Sequence, residues 1–212
     1  VVGILIADDH TLVRKGLRAV LEGHAGWKVV AEAADGYEAV DAAAQTSPDV
    51  AIVDCTMPRM NGVEATRRIR LQRPRTEVCL FTGGEDDFII AAALRVGARG
   101  IIRKSSPEHE LVAAVEAVSR HHPYFAGIVS EALFDHYARQ IEHSSRVELL
   151  TPREREVVQL VAEGLSNKQV GRHLDLSVKT IETHRGAAMR KAGLSSTADL
   201  VRYAVRNHMV QP

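Results

Sequence analysis

At 212 residues the chain has room for one large domain or two small ones, and its 27 Lys and Arg balance 27 Asp and Glu. No apolar run approaches the 18 or so residues a membrane span needs, which excludes a spanning helix and leads to the expectation of a soluble, cytoplasmic protein without membrane partners. Charge is nevertheless uneven: residues 1–120 carry 15 basic and 17 acidic side chains, whereas residues 148–212 carry 10 and 7, a net +3. The last third is therefore the candidate for an anionic partner. Cys55 and Cys79 stand in no metal-ligand spacing and read as small buried thiols.

In chain order, Val2 to Ala7 is a near-continuous apolar run, as expected of a strand buried on both faces. Similar runs recur at Val29–Ala33, Val50–Val53, Val78–Phe81 and Gly100–Ile102. Between them lie helical spacings such as Leu12, Leu17, Val20 and Leu21, and the fifth run is followed by Leu111, Val115 and Val118 on one helical face. Strand and helix thus alternate five times, predicting a five-stranded parallel sheet covered on both sides.

Residues 121–147 change character. They hold a short helical pattern near Val129–Ile141, and the polar, aperiodic segment that follows, His143–Glu148, reads as a connector. From Leu150 every signal is helical. Thr151-Pro152-Arg153-Glu154 combines an N-cap, a first-turn proline and a capping-box glutamate, and Gly164 ends that helix. Ser166-Asn167-Lys168-Gln169 opens a second helix, Ser177 caps a third running to Gly193, and Ser196-Thr197-Ala198-Asp199 opens a fourth. The second and third have helix-turn-helix spacing.

In an open parallel sheet, ligands collect beyond the carboxyl ends of the strands. The polar residues found there are Asp8 and Asp9 after the first run, Asp54 after the third, Thr82 after the fourth and Lys104 after the fifth. The second run ends in Ala33-Ala34-Asp35, as at a sheet edge away from the site. A strand-end Asp is ordinarily a helix cap and a lone Lys ordinarily surface; the case rests on all five meeting at one end of the sheet. Converging carboxylates repel, and a hard divalent cation such as Mg²⁺ relieves that repulsion with oxygen ligands. A carboxylate nucleophile, a metal, an ammonium and a hydroxyl form an outfit for phosphoryl transfer.

Asp8-Asp9, the stretch Asp54-Cys55-Thr56-Met57-Pro58-Arg59-Met60-Asn61-Gly62, Thr82-Gly83 and Lys104 together resemble the receiver domain of bacterial two-component response regulators. The resemblance implies a flavodoxin-like, doubly wound fold over residues 1–120 and phosphotransfer from a sensor histidine kinase to Asp54. It also implies Mg²⁺ held by Asp9, Asp54 and the Thr56 carbonyl with Asp8 acting through water, Lys104 on the phosphoryl oxygens, and a Thr82 hydroxyl that swings toward them. Family members often carry an aromatic residue three positions before the lysine. Here it is Ile101, so signalling is expected to rest on Thr82 and repacking of the adjoining helix and strand.

Residues 148–212 resemble the LuxR-type helix-turn-helix, and the two halves together resemble the NarL/FixJ subfamily. In the third helix Val178, Ile181, Ala188 and Ala192 are expected to pack inward, with Lys179, Thr183, Gly186 and Arg190 opposite and Glu182 beside them. Lys179, Arg185, Arg190 and Lys191 suit phosphates, while Glu182 and Thr183 suit base edges in the major groove; Thr180 opens the reading helix. His184 reads as a structural residue. Gly186 stands where a long polar side chain is usual, and close approach to DNA would compensate its poor helix propensity. One copy at +3 predicts modest affinity, hence a homodimer on paired half-sites.

Three other readings fit the residues less well. An aspartyl phosphatase needs a second carboxylate two residues after its nucleophile, where Thr56 stands. A ligand-sensing LuxR-type regulator needs an aromatic-rich pocket, and residues 1–120 offer only Trp27, Tyr37, Phe81 and Phe88. A receiver switching by protein contacts alone would not require the intact acidic set. The expected protein is thus a phosphorylation-controlled transcription factor, not an enzyme beyond promoting its own phosphorylation and dephosphorylation.

Overall fold

The computed structural model describes residues 1–83, 92–125, 150–207 and 209–210, which fall into two compact units. The N-terminal unit comprises β1 (Val2–Ala7), α1 (Thr11–Glu22), β2 (Trp27–Ala33), α2 (Gly36–Thr46), β3 (Val50–Asp54), α3 (Gly62–Gln72), β4 (Glu77–Thr82), β5 (Gly100–Arg103), α4 (Glu108–Ser119) and β6 (Tyr124–Phe125). The strands lie in the order β2-β1-β3-β4-β5-β6, and each neighbouring pair is parallel. Every residue of β3 and β4 is buried, which explains why those segments are apolar without alternation.

The sheet has six strands rather than the expected five. Tyr124 and Phe125 pair with Gly100 and Ile101, and two residues are too few to produce a periodic signal. On one face Ile4, Ile6, Val29, Val50, Ile52, Cys79, Phe81 and Ile102 pack against Leu17 and Leu21 of α1 and Leu111, Val115 and Val118 of α4. Helices α2 and α3 cover the other face. Leu12 does not pack as its spacing suggested: it is 84% exposed, and Val13 takes its place against the core. Val13 lies one turn before Leu17, whereas Leu12 points about 100° away around the helix.

The second unit contains α5 (Pro152–Ala162), α6 (Asn167–Leu174), α7 (Val178–Lys191) and α8 (Thr197–Arg206). Thr151, Ser166 and Ser196 each form a reciprocal capping box, and the Ser177 hydroxyl accepts from the Thr180 amide. Each such cap stabilises its helix by about 1 kcal/mol. The α6–α7 turn is close-packed: a Cβ on Gly171 would lie 2.7 Å from the Leu176 carbonyl oxygen, and Asp175 ends α6 with a left-handed φ of 52°. Val157, Leu160, Val170, Ile181, Ala188, Leu200 and Ala204 form the buried interior. Val178, expected inward, is 42% exposed; it lies about 60° from the centre of the packed face and has no preceding helical turn to cover it. Helix α7 stops at Lys191, with Ala192 as its half-buried C-cap.

The expected helix near Val129–Ile141 and the polar segment His143–Glu148 lie outside the described residues. No helix among the described residues is long and apolar enough to cross a membrane.

Candidate functional site

Parallel pairing brings the carboxyl ends of β1, β3, β4 and β5 to one edge of the N-terminal unit. The strand order departs in opposite directions from β1 and β3, and the crevice between them holds Asp8, which follows β1, and Asp54, which ends β3. Both side chains are fully buried, while Asp9 is about a third exposed. Lys104 follows β5, its amide donating to the Thr82 carbonyl at 2.7 Å. Its Nζ reaches Asp8 Oδ2 at 2.8 Å and Asp54 Oδ2 at 2.9 Å. One ammonium thus bridges two buried carboxylates. At the sheet's far side Asp35 caps α2, accepting from the amides of Tyr37 and Glu38, as the edge position of β2 predicts.

Burial is the main cause that lifts the Asp54 carboxyl from its usual range to about 6; the Asp8 charge adds to it, and Lys104 and the Thr56 amide oppose it. Burial works to lower the Lys104 ammonium, but its bonds to Asp8 and Asp54 outweigh that and move it upward. Lys104 stays cationic while Asp54 is a carboxylate of raised proton affinity. Cys55 and Cys79 are buried thiols pushed up to about 12, chiefly by burial, and so remain protonated and unreactive. The Thr82 side chain is buried and hydrogen-bonds with Cys55. Ile101 is fully buried, on the sheet face opposite Gly100 and Ile102, and contributes packing without a polar tip.

The loop after Asp54 folds back on it. The Thr56 amide donates to Asp54 Oδ1 at 3.3 Å, the Gly62 amide to the Cys55 carbonyl at 2.9 Å, and Asn61 caps α3 through the Glu64 amide at 2.9 Å. A Cβ on Gly62 would stand 2.0 Å from the Asp54 carbonyl oxygen, so this position admits only glycine without moving the acceptor strand. Two neighbours were not singled out from the sequence. The His10 amide donates to Asp8 Oδ1 at 2.8 Å and its Nδ1 lies 2.8 Å from Asp9 Oδ1. Arg14 Nη1 donates to the Asp8 carbonyl at 2.6 Å while its Nε reaches Glu32. The available signal was position: both stand in or just before the first turn of α1, which starts at the mouth of the site.

Ligand atoms of Asp8, Asp9, His10 and Asp54 lie within 4.8 Å of one another. Three carboxyl groups gather around the Lys104 ammonium, and a divalent cation would relieve the repulsion among them that one ammonium leaves. The oxygen-rich donor set fits Mg²⁺.

In the second unit, α7 divides its charged residues into two groups. Lys179, Glu182 and Arg190 are exposed, and their side chains have no hydrogen bond or ion pair among the described residues. Arg185 is held within the bundle, donating to Asn167 Oδ1 at 3.2 Å and Thr197 Oγ1 at 2.6 Å. Lys191 Nζ binds Glu154 Oε2 at 2.7 Å. Thr180 belongs to the cap, its hydroxyl 2.8 Å from Ser177 Oγ, and Thr183 is exposed with its hydroxyl donating to the Lys179 carbonyl. His184 is half-buried.

Gly186 has no internal justification, because a Cβ there would meet only the flexible end of Arg190, at 3.4 Å. Gly186→Ala is therefore expected to raise the stability of this unit by about 1 kcal/mol, read as a shift in its urea midpoint. An unchanged or lower midpoint would show that the glycine serves the fold.

Both halves have counterparts among known proteins. Residues 4–116 match the response regulator receiver domain, and residues 148–204 match the bacterial regulatory proteins of the luxR family. The transcriptional regulatory protein LiaR of Bacillus subtilis is 34% identical over 207 residues, 98% of each chain. The chain belongs to the NarL/FixJ-type response regulators. Among solved structures, this response regulator resembles RcsB of Salmonella enterica serovar Typhimurium bound to promoter rprA in the presence of phosphomimetic BeF3⁻. The TM-score is 0.61 at 26% identity, over 95% of this chain and 97% of that one. A structure of two RcsB dimers bound to two parallel DNAs matches with a TM-score of 0.55 at 26% identity, over 95% and 96% of the two chains.

Proposed function

We propose that this response regulator is a transcription factor switched by phosphorylation of Asp54, with residues 1–120 as receiver, 121–147 as linker and 148–212 as DNA-binding domain. The observation that carries the reading is Asp54 itself: a buried strand-end carboxylate that shares Lys104 with Asp8, in a chain whose second half is a LuxR-type helix-turn-helix. The phosphoryl donor is a sensor histidine kinase. An Asp54 carboxylate oxygen forms the new bond to phosphorus as the bond from phosphorus to the donor's imidazole nitrogen breaks.

Asp9, Asp54 and the Thr56 carbonyl would hold Mg²⁺, with Asp8 acting through water; the ion's contribution is neutralisation of charge on the phosphoryl oxygens. Lys104 is placed to follow the charge from the Asp54 carboxylate to the phosphoryl group. The Thr82 hydroxyl exchanges its Cys55 partner for the same group. With Ile101 in place of an aromatic, the change is transmitted by Thr82 and repacking around β4 and β5. Phosphorylation adds close to two negative charges and biases a two-state equilibrium.

The active form is a homodimer that reads paired half-sites in the major groove. Lys179 and Arg190 meet phosphates, and Glu182 and Thr183 meet base edges, with Thr180 at the helix entry and Gly186 at the point of closest approach. Arg185 and Lys191 hold α7 in the bundle and lie at the phosphate margin. Such a role belongs in the cytoplasm, and the chain catalyses nothing beyond its own phosphorylation and dephosphorylation. The RcsB structures with DNA, phosphomimetic and dimers support this reading by likeness.

The test compares the full chain with and without BeF3⁻ and Mg²⁺, by sedimentation and by selection of bound sequences from random duplex DNA. Dimerisation or tighter DNA binding is expected in wild type and not in Asp54→Asn. Identical behaviour of the two proteins would overturn the switch.

A further inference from the structure

One exposed side chain of α7 is left over by the charged contacts. Val178 opens the helix with 42% of its surface exposed, whereas Ile181, three residues later, is fully buried. At 100° per residue, Glu182 lies 40° and Gly186 80° around the helix from Val178, with Lys179, Thr183 and Arg190 further round on the same side. A single exposed valine is ordinary on a protein surface. This one stands in the first turn of the helix, on the face where Lys179 and Glu182 lack partners among the described residues.

Gly186 lies two turns further along the helix, and neither backbone conformation nor packing requires it. A helix interior disfavours glycine, but a position without a side chain, in the middle of an outward face, lets the helix sit close to its partner. In helix-turn-helix proteins the N-terminal residues of the reading helix meet the base edges. Among the groups displayed in the major groove, the apolar one is the C5 methyl of thymine. A branched aliphatic side chain in the first turn complements that methyl and gains nothing from the hydrogen-bonding edges.

Resting on the DNA-binding reading above, we infer that Val178 is a specificity-determining residue that packs on a thymine 5-methyl group. The contact selects T·A at one step of each half-site, independently of the charged residues that set overall affinity.

The experiment uses the full chain with BeF3⁻ and Mg²⁺ and a duplex selected from random sequence. Each thymine of the half-site is replaced in turn by uracil, which removes the methyl alone, and affinities are measured for wild type, Val178→Ala and Val178→Thr. One replacement is expected to weaken wild type about three- to fivefold, on the scale of one buried methyl, and to leave Val178→Ala unaffected. Because Val178 is exposed, all three proteins are expected to melt alike; Val178→Thr, which keeps the shape, provides the second reading should the alanine variant fold poorly. Equal sensitivity to uracil at every position in wild type and variants would overturn the inference while the DNA-binding reading stands. Failure of wild type to select any sequence would remove both.

Discussion

Replacing Asp54 by asparagine is expected to reduce phosphoryl acceptance to background and, in metal-free buffer at pH 7.5, to make the protein more stable. The first effect follows from chemistry, since an amide oxygen is a poor nucleophile and cannot give the acyl phosphate. The second follows from burial. The folded environment lifts the Asp54 carboxyl to about 6 from a reference value of 3.8, so the folded state holds this proton more tightly than the unfolded chain does. Between pH 4 and 6 the folded state therefore binds more protons, and wild-type stability falls as pH rises through that window. Above it the full cost of ionising a buried group remains.

Two pH units correspond to about 3 kcal/mol, and Lys104 loses one of its two partners in the variant, so a net gain of about 1–2 kcal/mol is expected. Urea denaturation of both proteins at pH 7.5 and pH 4.5, with chelator present, measures it. The gap should narrow at the lower pH, where wild-type Asp54 is protonated too. A wild type more stable than the variant at pH 7.5 would mean that Lys104 more than compensates the buried charge.

Gly62→Ala is expected to destabilise the receiver by about 3 kcal/mol or more and to impair phosphorylation even where folding survives. The added Cβ would lie 2.0 Å from the Asp54 carbonyl oxygen, 2.8 Å from its carbonyl carbon and 3.0 Å from Cys55 Cα. All three are backbone atoms, which no rotamer change can move aside. Relief must come from shifting the end of β3 or the start of α3, and the shifted residue is the acceptor itself. A urea melt gives the stability, and the rate of labelling by a small phosphodonor gives the chemistry. A variant with wild-type stability and rate would show that the loop yields at little cost. Gly186→Ala is the internal contrast, because there the neighbour is the mobile end of a side chain.

Much of the architecture was legible in the residues. Near-continuous apolar runs required strands covered on both faces, and the acidic residues directly after them required a charged edge. The serine and threonine caps of the second unit stand where the hydroxyl-to-glutamate or hydroxyl-to-glutamine spacing put them. What local patterning missed lay at its margins. Leu12 and Val178 had plausible helical spacing but pointed outward, since an i, i+3, i+4 pattern leaves the borders of a face uncertain by one residue. The strand Tyr124–Phe125 was too short to carry a period.

The candidate site divides in the same way. Asp54 and its companions could be named from sequence because a strand's end is a local property and parallel strands bring their ends together. Only the tertiary structure shows that one ammonium bridges Asp8 and Asp54, that Gly62 is required by a carbonyl eight residues earlier, and that Arg185 and Lys191 hold the bundle while Lys179 and Arg190 face outward. Chain order and periodicity determine which residues share a face, because backbone geometry repeats. Which charges are paired depends on distances across elements far apart in sequence, and no repeat of the backbone encodes those.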